Sequence, residues 1–388
     1  MAASYQIVIL GDGPKKDLRK DLVKKIRDIG LSVKDHIAFL EAADVTKRSK
    51  IQPTVAVFFG SNKLHSNEEI NAINTLVKDE VIVIPVVTDL TRYNQLTPSS
   101  LHLINGSLLS DENGGIEAIS NMVLEALNLL RRTRKLFISY RRQESSAVAI
   151  QLYEHLHRNG FEVFIDTISI RPGEPFQEVL WHRLSDTDIV VLLDTPGFLD
   201  SRWTRDELAN TSAMSIGILQ LVWPSHNPDD KSSLCKKYYL EDTDFKTSGE
   251  GDNNILTNAA VFAIGKEVES LRARSLAARY SKIVGNVGRV AEDLGIELTV
   301  QAERYAIVRK GAKSVAVIPT VGVPEALRYQ EIAELLEAIQ DKSISEAYLL
   351  YDHIMIRNQW CRHLDWLDSH LPVKSIRVFD SEIWLKRL

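Results

Sequence analysis

Two side chains, Trp203 and Glu207, stand four residues apart in the stretch SRWTRDEL at 201–208. On a helix that opens after Ser201, positions i and i+4 project from one face. A carboxylate so placed can stabilise positive charge developing on a sugar carbon, as glycosidase carboxylates do. An indole beside it can wall a flat ring or a ribose. Further back, Arg141 and Arg142 follow the apolar run KLFIS and Tyr140, and guanidinium groups suit a diphosphate. Each feature also has an ordinary reading. The alternatives are that Glu207 is a solvated helix glutamate like Asp206, Trp203 a core residue, and the arginines an exposed basic pair with Tyr140 packed beneath.

The chain that positions these residues has 388 residues, so about 150 residues per domain predicts two or three domains. Hydrophobic residues make up 44% and charged residues 26%, enough apolar side chains for several cores. A net charge of -5 provides no broad basic field, so nucleic acid is not an expected partner. Cys235 and Cys361 are far apart and lack ligand spacing, which argues against a disulfide scaffold or a metal cluster and suits a reducing cytosol. The start, MAASYQIVIL, lacks a basic secretory leader, and no apolar run reaches the ~18–20 residues that cross a bilayer. A cytoplasmic, soluble, multidomain protein is expected.

Strands and helices alternate along the first segment. Tyr5–Leu10 reads as a strand, Lys16–Ile29 as a helix, and Gly30 turns the chain into a second strand near Leu31–Val33. The runs TVAVFFG (54–60) and VIVIPVV (81–87) read as buried parallel strands, and Gly114–Leu130 as a closing helix. The order then recurs: LFISY (136–140) stands about 130 residues after the first strand, and Gly160 is 130 after Gly30. DIVVLLD (188–194) and Ile216–Trp223 match the next two strands, Pro224–Asn254 reads as an exposed loop, and Ile255–Arg274 as the closing helix. Four elements in register imply two copies of one fold. Beyond residue 280 a third α/β segment begins. It has a hairpin around Gln301–Arg304, strands at Ser314–Pro319, Ala347–Tyr351 and Val373–Phe379, and helices at Glu325–Ile339 and Asn358–Leu371. Trp360, Leu364 and Leu367 share a stripe of the last helix.

The series KLFISYRR, GFEVFID (160–166), TISIRPGEPF (167–176), DIVVLLDTPGFLDS and SRWTRDEL, in this order, resembles the TIR (Toll/interleukin-1 receptor) domain family over about 145 residues. The resemblance implies a doubly wound, flavodoxin-like sheet of five parallel strands. In the family's catalytic branch it implies cleavage of NAD between nicotinamide and ribose, giving ADP-ribose or a cyclised product. Glu207 takes the position of the glutamate that carries this activity, and Trp203 keeps its spacing. One of Arg141 and Arg142 would face the phosphates or ribose. The loop at 167–176 would meet a neighbouring protomer and complete the pocket, bringing Arg171 and Phe176, or else Ile170, to the substrate. Glu174-Pro175, inserted before Phe176, blurs the match there, and a plain surface turn is the alternative.

The expected organisation is a degenerate TIR-like domain at 1–132, a catalytic TIR domain at 133–278 and a small α/β domain at 279–388. The first copy aligns Glu69 or Ile73 with Glu207 and has no tryptophan four residues earlier, so it is read as non-catalytic. Its Gly11-Asp12-Gly13-Pro14 is not a dinucleotide fingerprint. Val321-Gly322-Val323-Pro324 reads as a plain turn, with an anion site at the following helix as the alternative. His353 and His363 have no partners at ligand spacing. The leading function is an NAD glycohydrolase activated by self-association through TIR domains, in antiphage or cell-suicide immunity, with NAD as substrate and no cofactor. The flanking domains would take a trigger ligand or partner protein. A cyclase making a signal nucleotide and a non-enzymatic signalling adaptor are the alternatives.

Overall fold

The computed structural model describes residues 5–388 apart from 30, 51, 64, 112, 113, 166–175, 197–214, 229–234, 247–254, 302, 340 and 342. Gly30, Arg171, Trp203 and Glu207 therefore lie outside the described residues, and of Phe176 only the backbone is described. The chain divides into two compact units, one of residues 1–132 with 258–273, the other of 133–257 with 274–388.

In the first unit, β1 (Tyr5–Gly11), β2 (Ile37–Leu40), β3 (Thr54–Phe59), β4 (Ile82–Val87) and β5 (Ser107–Leu108) form one sheet in the order β2-β1-β3-β4-β5. All its pairings are parallel. Strand β1 is buried along its whole length because helices cover both faces. Helix α1 (Lys15–Asp28) turns Leu18, Leu22 and Ile26 inward, and α2 (Asn67–Lys78) turns Ala72, Ile73 and Leu76. Ser66 caps α2 by accepting the Glu69 N–H at 3.2 Å. Helix α3 (Gly115–Ala126) completes the layer.

The strand expected near Leu31–Val33 lies later, at Ile37–Leu40, with Val33–His36 forming one helical turn. The Ser32 hydroxyl donates to Asp35 at 2.6 Å, and the His36 N–H to the Ser32 carbonyl at 3.0 Å. These local bonds outcompete extension, as short polar side chains at helix starts do.

The second unit contains β6 (Lys135–Ser139), α4 (Arg142–Arg158), β7 (Glu162–Ile165), α5 (Phe176–Asp186), β8 (Ile189–Asp194), β9 (Gly217–Val222) and β10 (Lys236–Tyr239). Their sheet runs β10-β9-β8-β6-β7, again all parallel, and reproduces the strand order of the first. Strand β10 lies inside the segment expected to be an exposed loop. Its sequence KKYY lacks an apolar run because an edge strand pairs on one side only and tolerates lysine.

Helix α6 (Asn258–Asp293) is 36 residues long and passes without a break through Arg274, where the sequence reading ends it. Arg272 and Arg279, on either side of the exposed Arg274, are buried and matched, so they do not mark a solvated end. Arg272 donates to Glu125 at 2.8 Å and to the Arg131 carbonyl at 2.6 Å. Arg279 donates to the carbonyls of Thr187 and Ser185, both at 2.7 Å.

The remaining sheet takes its strands in chain order: β11 (Glu297–Val300), β12 (Ala306–Lys310), β13 (Lys313–Thr320), β14 (Ile344–Tyr351) and β15 (Lys374–Arg377). The first three are antiparallel neighbours and the last three parallel. Helices α7 (Ala326–Ala338) and α8 (Asn358–His370) share one core cluster with it. The end of α6 and α9 (Ser381–Arg387) share another. Among the described residues, no helix is long and apolar enough to cross a membrane.

Candidate functional site

In the β10-β9-β8-β6-β7 sheet the strand order reverses between β6 and β8, and doubly wound folds bind ligands at the carboxyl ends of strands beside such a reversal. Ser139 pairs with Leu192 on β8, and Leu192 with Gln220 on β9, so these three residues make one row across the sheet. Asp194 is two residues beyond Leu192 and projects to the same face. The result is a polar rim on an apolar sheet. Ser139, Asp194, Thr195 and Gln220 are all buried. Among the described residues, Ser139 Oγ, Thr195 Oγ1 and Gln220 Oε1 have no hydrogen-bond partner.

Asp194 is held on both oxygens. Gln220 Nε2 donates to Oδ2 at 2.7 Å, and His226 Nε2 lies 3.2 Å from Oδ1. His226 sits just past β9, where a turn from the Trp223 carbonyl to its own N–H (3.2 Å) fixes the backbone. The sequence reading missed this network. Gln220 offered one signal, a polar residue inside the apolar run ILQLV. His226 belongs to no motif.

Tyr140, Arg141 and Arg142 lie at the end of β6, as connectivity requires. Tyr140 is buried and Arg142 exposed at the start of α4. Arg141 is half-buried, and its guanidinium reaches Glu144 at 2.5 Å, so a diphosphate there would compete with an existing carboxylate. Cys235 is no thiolate nucleophile: burial pushes its thiol up to about 11.

The corresponding edge of the first sheet is closed. Gly11 has φ +80°, and a Cβ there would lie 2.0 Å from the Phe59 carbonyl oxygen; one on Gly13 would meet the Phe59 ring at 2.5 Å. Phe59 thus packs directly on the loop after β1. Glu69 accepts the Gly11 N–H at 3.0 Å and lies 3.8 Å from Lys15, and Asp12 pairs with Lys63 at 2.7 Å. His65, not a tryptophan, stands four residues before Glu69 and packs edge-on against Phe58. In a groove at the opposite edge, Asp79 pairs with Arg48 at 2.6 Å and with Lys50 at 3.2 Å.

Helix α5 is held at its far end by the loops of the C-terminal sheet. Asp186 Oδ1 accepts the Val323 N–H at 3.0 Å and its other oxygen pairs with Lys135, which also reaches Glu325 at 3.0 Å. In the Val321–Pro324 turn the Val323 amide is therefore taken by a carboxylate of this same chain. His182 Nδ1 accepts the Arg357 N–H at 3.5 Å, and its ring lies 5.4 Å from Trp360. Burial, the main cause, brings His182 down to about 4. Met355, at φ +65°, packs against the cluster of Phe137, Leu180 and Leu184.

The strand order and polar carboxyl rim define a flavodoxin-like, doubly wound α/β domain. Residues 136–246 match the family model described as TIR domain, and this segment is a TIR domain. The 2' cyclic ADP-D-ribose synthase BtTIR of Bacteroides thetaiotaomicron is 26% identical over 100 residues, 26% of this chain and 35% of that protein. A Brachypodium distachyon protein, named "Probable 2' cyclic ADP-D-ribose synthase BdTIR", is 30% identical over 76 residues, 19% of this chain and 34% of that one. The chain thus spans about a third of the length of these curated relatives. The solved C-terminal domain of glucosamine-fructose-6-phosphate aminotransferase from Francisella tularensis overlays 71% of this chain and 84% of its own. Its TM-score is 0.21 at 9% identity, too low to carry an argument.

Proposed function

We propose that the TIR domain cleaves the nicotinamide–ribose bond of NAD, with Glu207 as the acidic residue beside the reacting sugar. The observation that carries this reading is the spacing of Trp203 and Glu207 in the segment directly after the carboxyl end of β8, within a TIR domain. Nicotinamide leaves as a neutral base and needs no acid. The barrier is the cationic character of the ribosyl carbon, which a carboxylate stabilises. Trp203 would wall the nicotinamide or ribose, with Tyr140 beneath Arg141 and Arg142 and one of the arginines on the diphosphate. Arg171 and Phe176 would complete the pocket when TIR domains self-associate.

Hydrolysis and cyclisation share the first bond broken and differ in the hydroxyl that captures the sugar. Both relatives are named as 2' cyclic ADP-D-ribose synthases, which favours cyclisation as the second reading. The sheet at 1–132 is a degenerate TIR-like copy, a reading supported by its equal strand order and by an edge closed with Phe59 and Glu69. Residues 279–388 would receive a trigger ligand or partner protein, in a cytoplasmic cell-suicide or antiphage response. NAD is the substrate and no cofactor is invoked. Purified protein incubated with NAD should release nicotinamide, and Glu207→Ala should lose at least about two orders of magnitude. Turnover per chain should fall on dilution, and a flat response would remove the shared-pocket element.

A further inference from the structure

We propose that His226, oriented by the buried Asp194 carboxylate, is the base that deprotonates the hydroxyl capturing the ribosyl carbon once nicotinamide has left. This rests on the reading that the TIR site cleaves NAD, and it adds the group that handles the proton. Asp194 ends β8 and His226 follows β9, neighbouring strands at the ligand edge, with β6 on the other side of β8. At about 4.8 Å between strands, the ends of β6 and β9 are about 10 Å apart, within the span of one nucleoside.

His226 Nε2 lies 3.2 Å from Asp194 Oδ1. An ionised carboxylate only accepts, so a neutral ring facing it donates through Nε2–H and leaves Nδ1 as the acceptor. Among the described residues Nδ1 has no hydrogen-bond partner, and the side chain keeps 15% of its surface exposed. Gln220 on the other oxygen stops the carboxylate rotating. The carboxylate–imidazole–open nitrogen sequence is the arrangement by which an acid orients a general base. A mere fold staple would be redundant, since the Trp223 N–H already bonds the Asp194 carbonyl at 3.1 Å.

The step balances as follows. The bond from the anomeric carbon to the pyridinium nitrogen breaks, and its electron pair neutralises nicotinamide. A hydroxyl oxygen, of water or of the same ADP-ribose, bonds to that carbon, and its proton passes to Nδ1 and then to solvent.

The test uses the full chain with NAD, following nicotinamide and ribosyl products for wild type, His226→Gln, His226→Asn and Asp194→Asn, with and without azide. Azide is an anion and needs no deprotonation. In the His226 variants the ratio of ribosyl azide to hydroxyl-captured product should rise at least about tenfold over wild type, the low end of what a general base contributes. Asp194→Asn should move the same way by less. Active wild type with variants of unchanged ratio overturns the assignment alone, as does unfolding of both His226 variants, which would mark a staple. A wild type that releases no nicotinamide removes the NAD reading and this assignment with it.

Discussion

The carboxylate of Asp186, at the end of α5, accepts the backbone N–H of Val323 at 3.0 Å and so ties the TIR domain to the loop after β13. Asp186 also pairs with Lys135, and both side chains are largely buried. Truncation leaves the buried Val323 amide without this acceptor and takes from the Lys135 ammonium the buried one of its two carboxylates, leaving it the half-exposed Glu325. Asp186→Ala is therefore expected to cost about 2–4 kcal/mol in urea unfolding, and Asp186→Asn less. A loss under about 0.5 kcal/mol would mean the seam is held by packing alone.

His182 gives this seam a pH signature. Its folded-state value is about 4 against 6.5 for the free side chain, chiefly through burial. Between those values the unfolded chain binds the proton and the folded chain does not, so stability falls as pH drops from 6.5 towards 4 and is level above it. His155, also lowered by burial, titrates in the same direction. The measurable quantity is the difference between variants. His182→Gln should flatten part of the acid loss seen for wild type in unfolding midpoints, and equal slopes would contradict the assignment.

The closed edge of the first sheet predicts a separation of roles. Gly11→Ala places a Cβ against the Phe59 carbonyl at positive φ and should cost at least about 2 kcal/mol of stability. Glu69→Gln, by contrast, should leave nicotinamide release within about twofold of wild type, because Glu69 is bonded to the Gly11 amide. A hundredfold fall would assign that sheet a catalytic part.

Sheet order was legible wherever strands are buried on both faces, as in TVAVFFG and DIVVLLD, because continuous apolar runs have few other solutions. Edge elements were not: β10 carries KKYY, and the turn at Val33–His36 is decided by Ser32 and Asp35 rather than by hydrophobicity. The length of α6 was hidden for a different reason, since the acceptors of Arg272 and Arg279 are contributed by residues distant in sequence. At the site, motif spacing singled out Arg141 and Arg142 at the end of β6. Nothing in sequence connects His226 to Asp194, which lie 32 residues apart and meet only through strand pairing.

The most direct measurement is single-turnover release of nicotinamide from labelled NAD by wild-type chain and by Glu207→Gln, at matched high protein concentration. Removing the charge while keeping the shape should slow release at least about a hundredfold and leave the unfolding midpoint unchanged. Equal rates for the two proteins would contradict a carboxylate at 207 as the group that stabilises the departing sugar's charge.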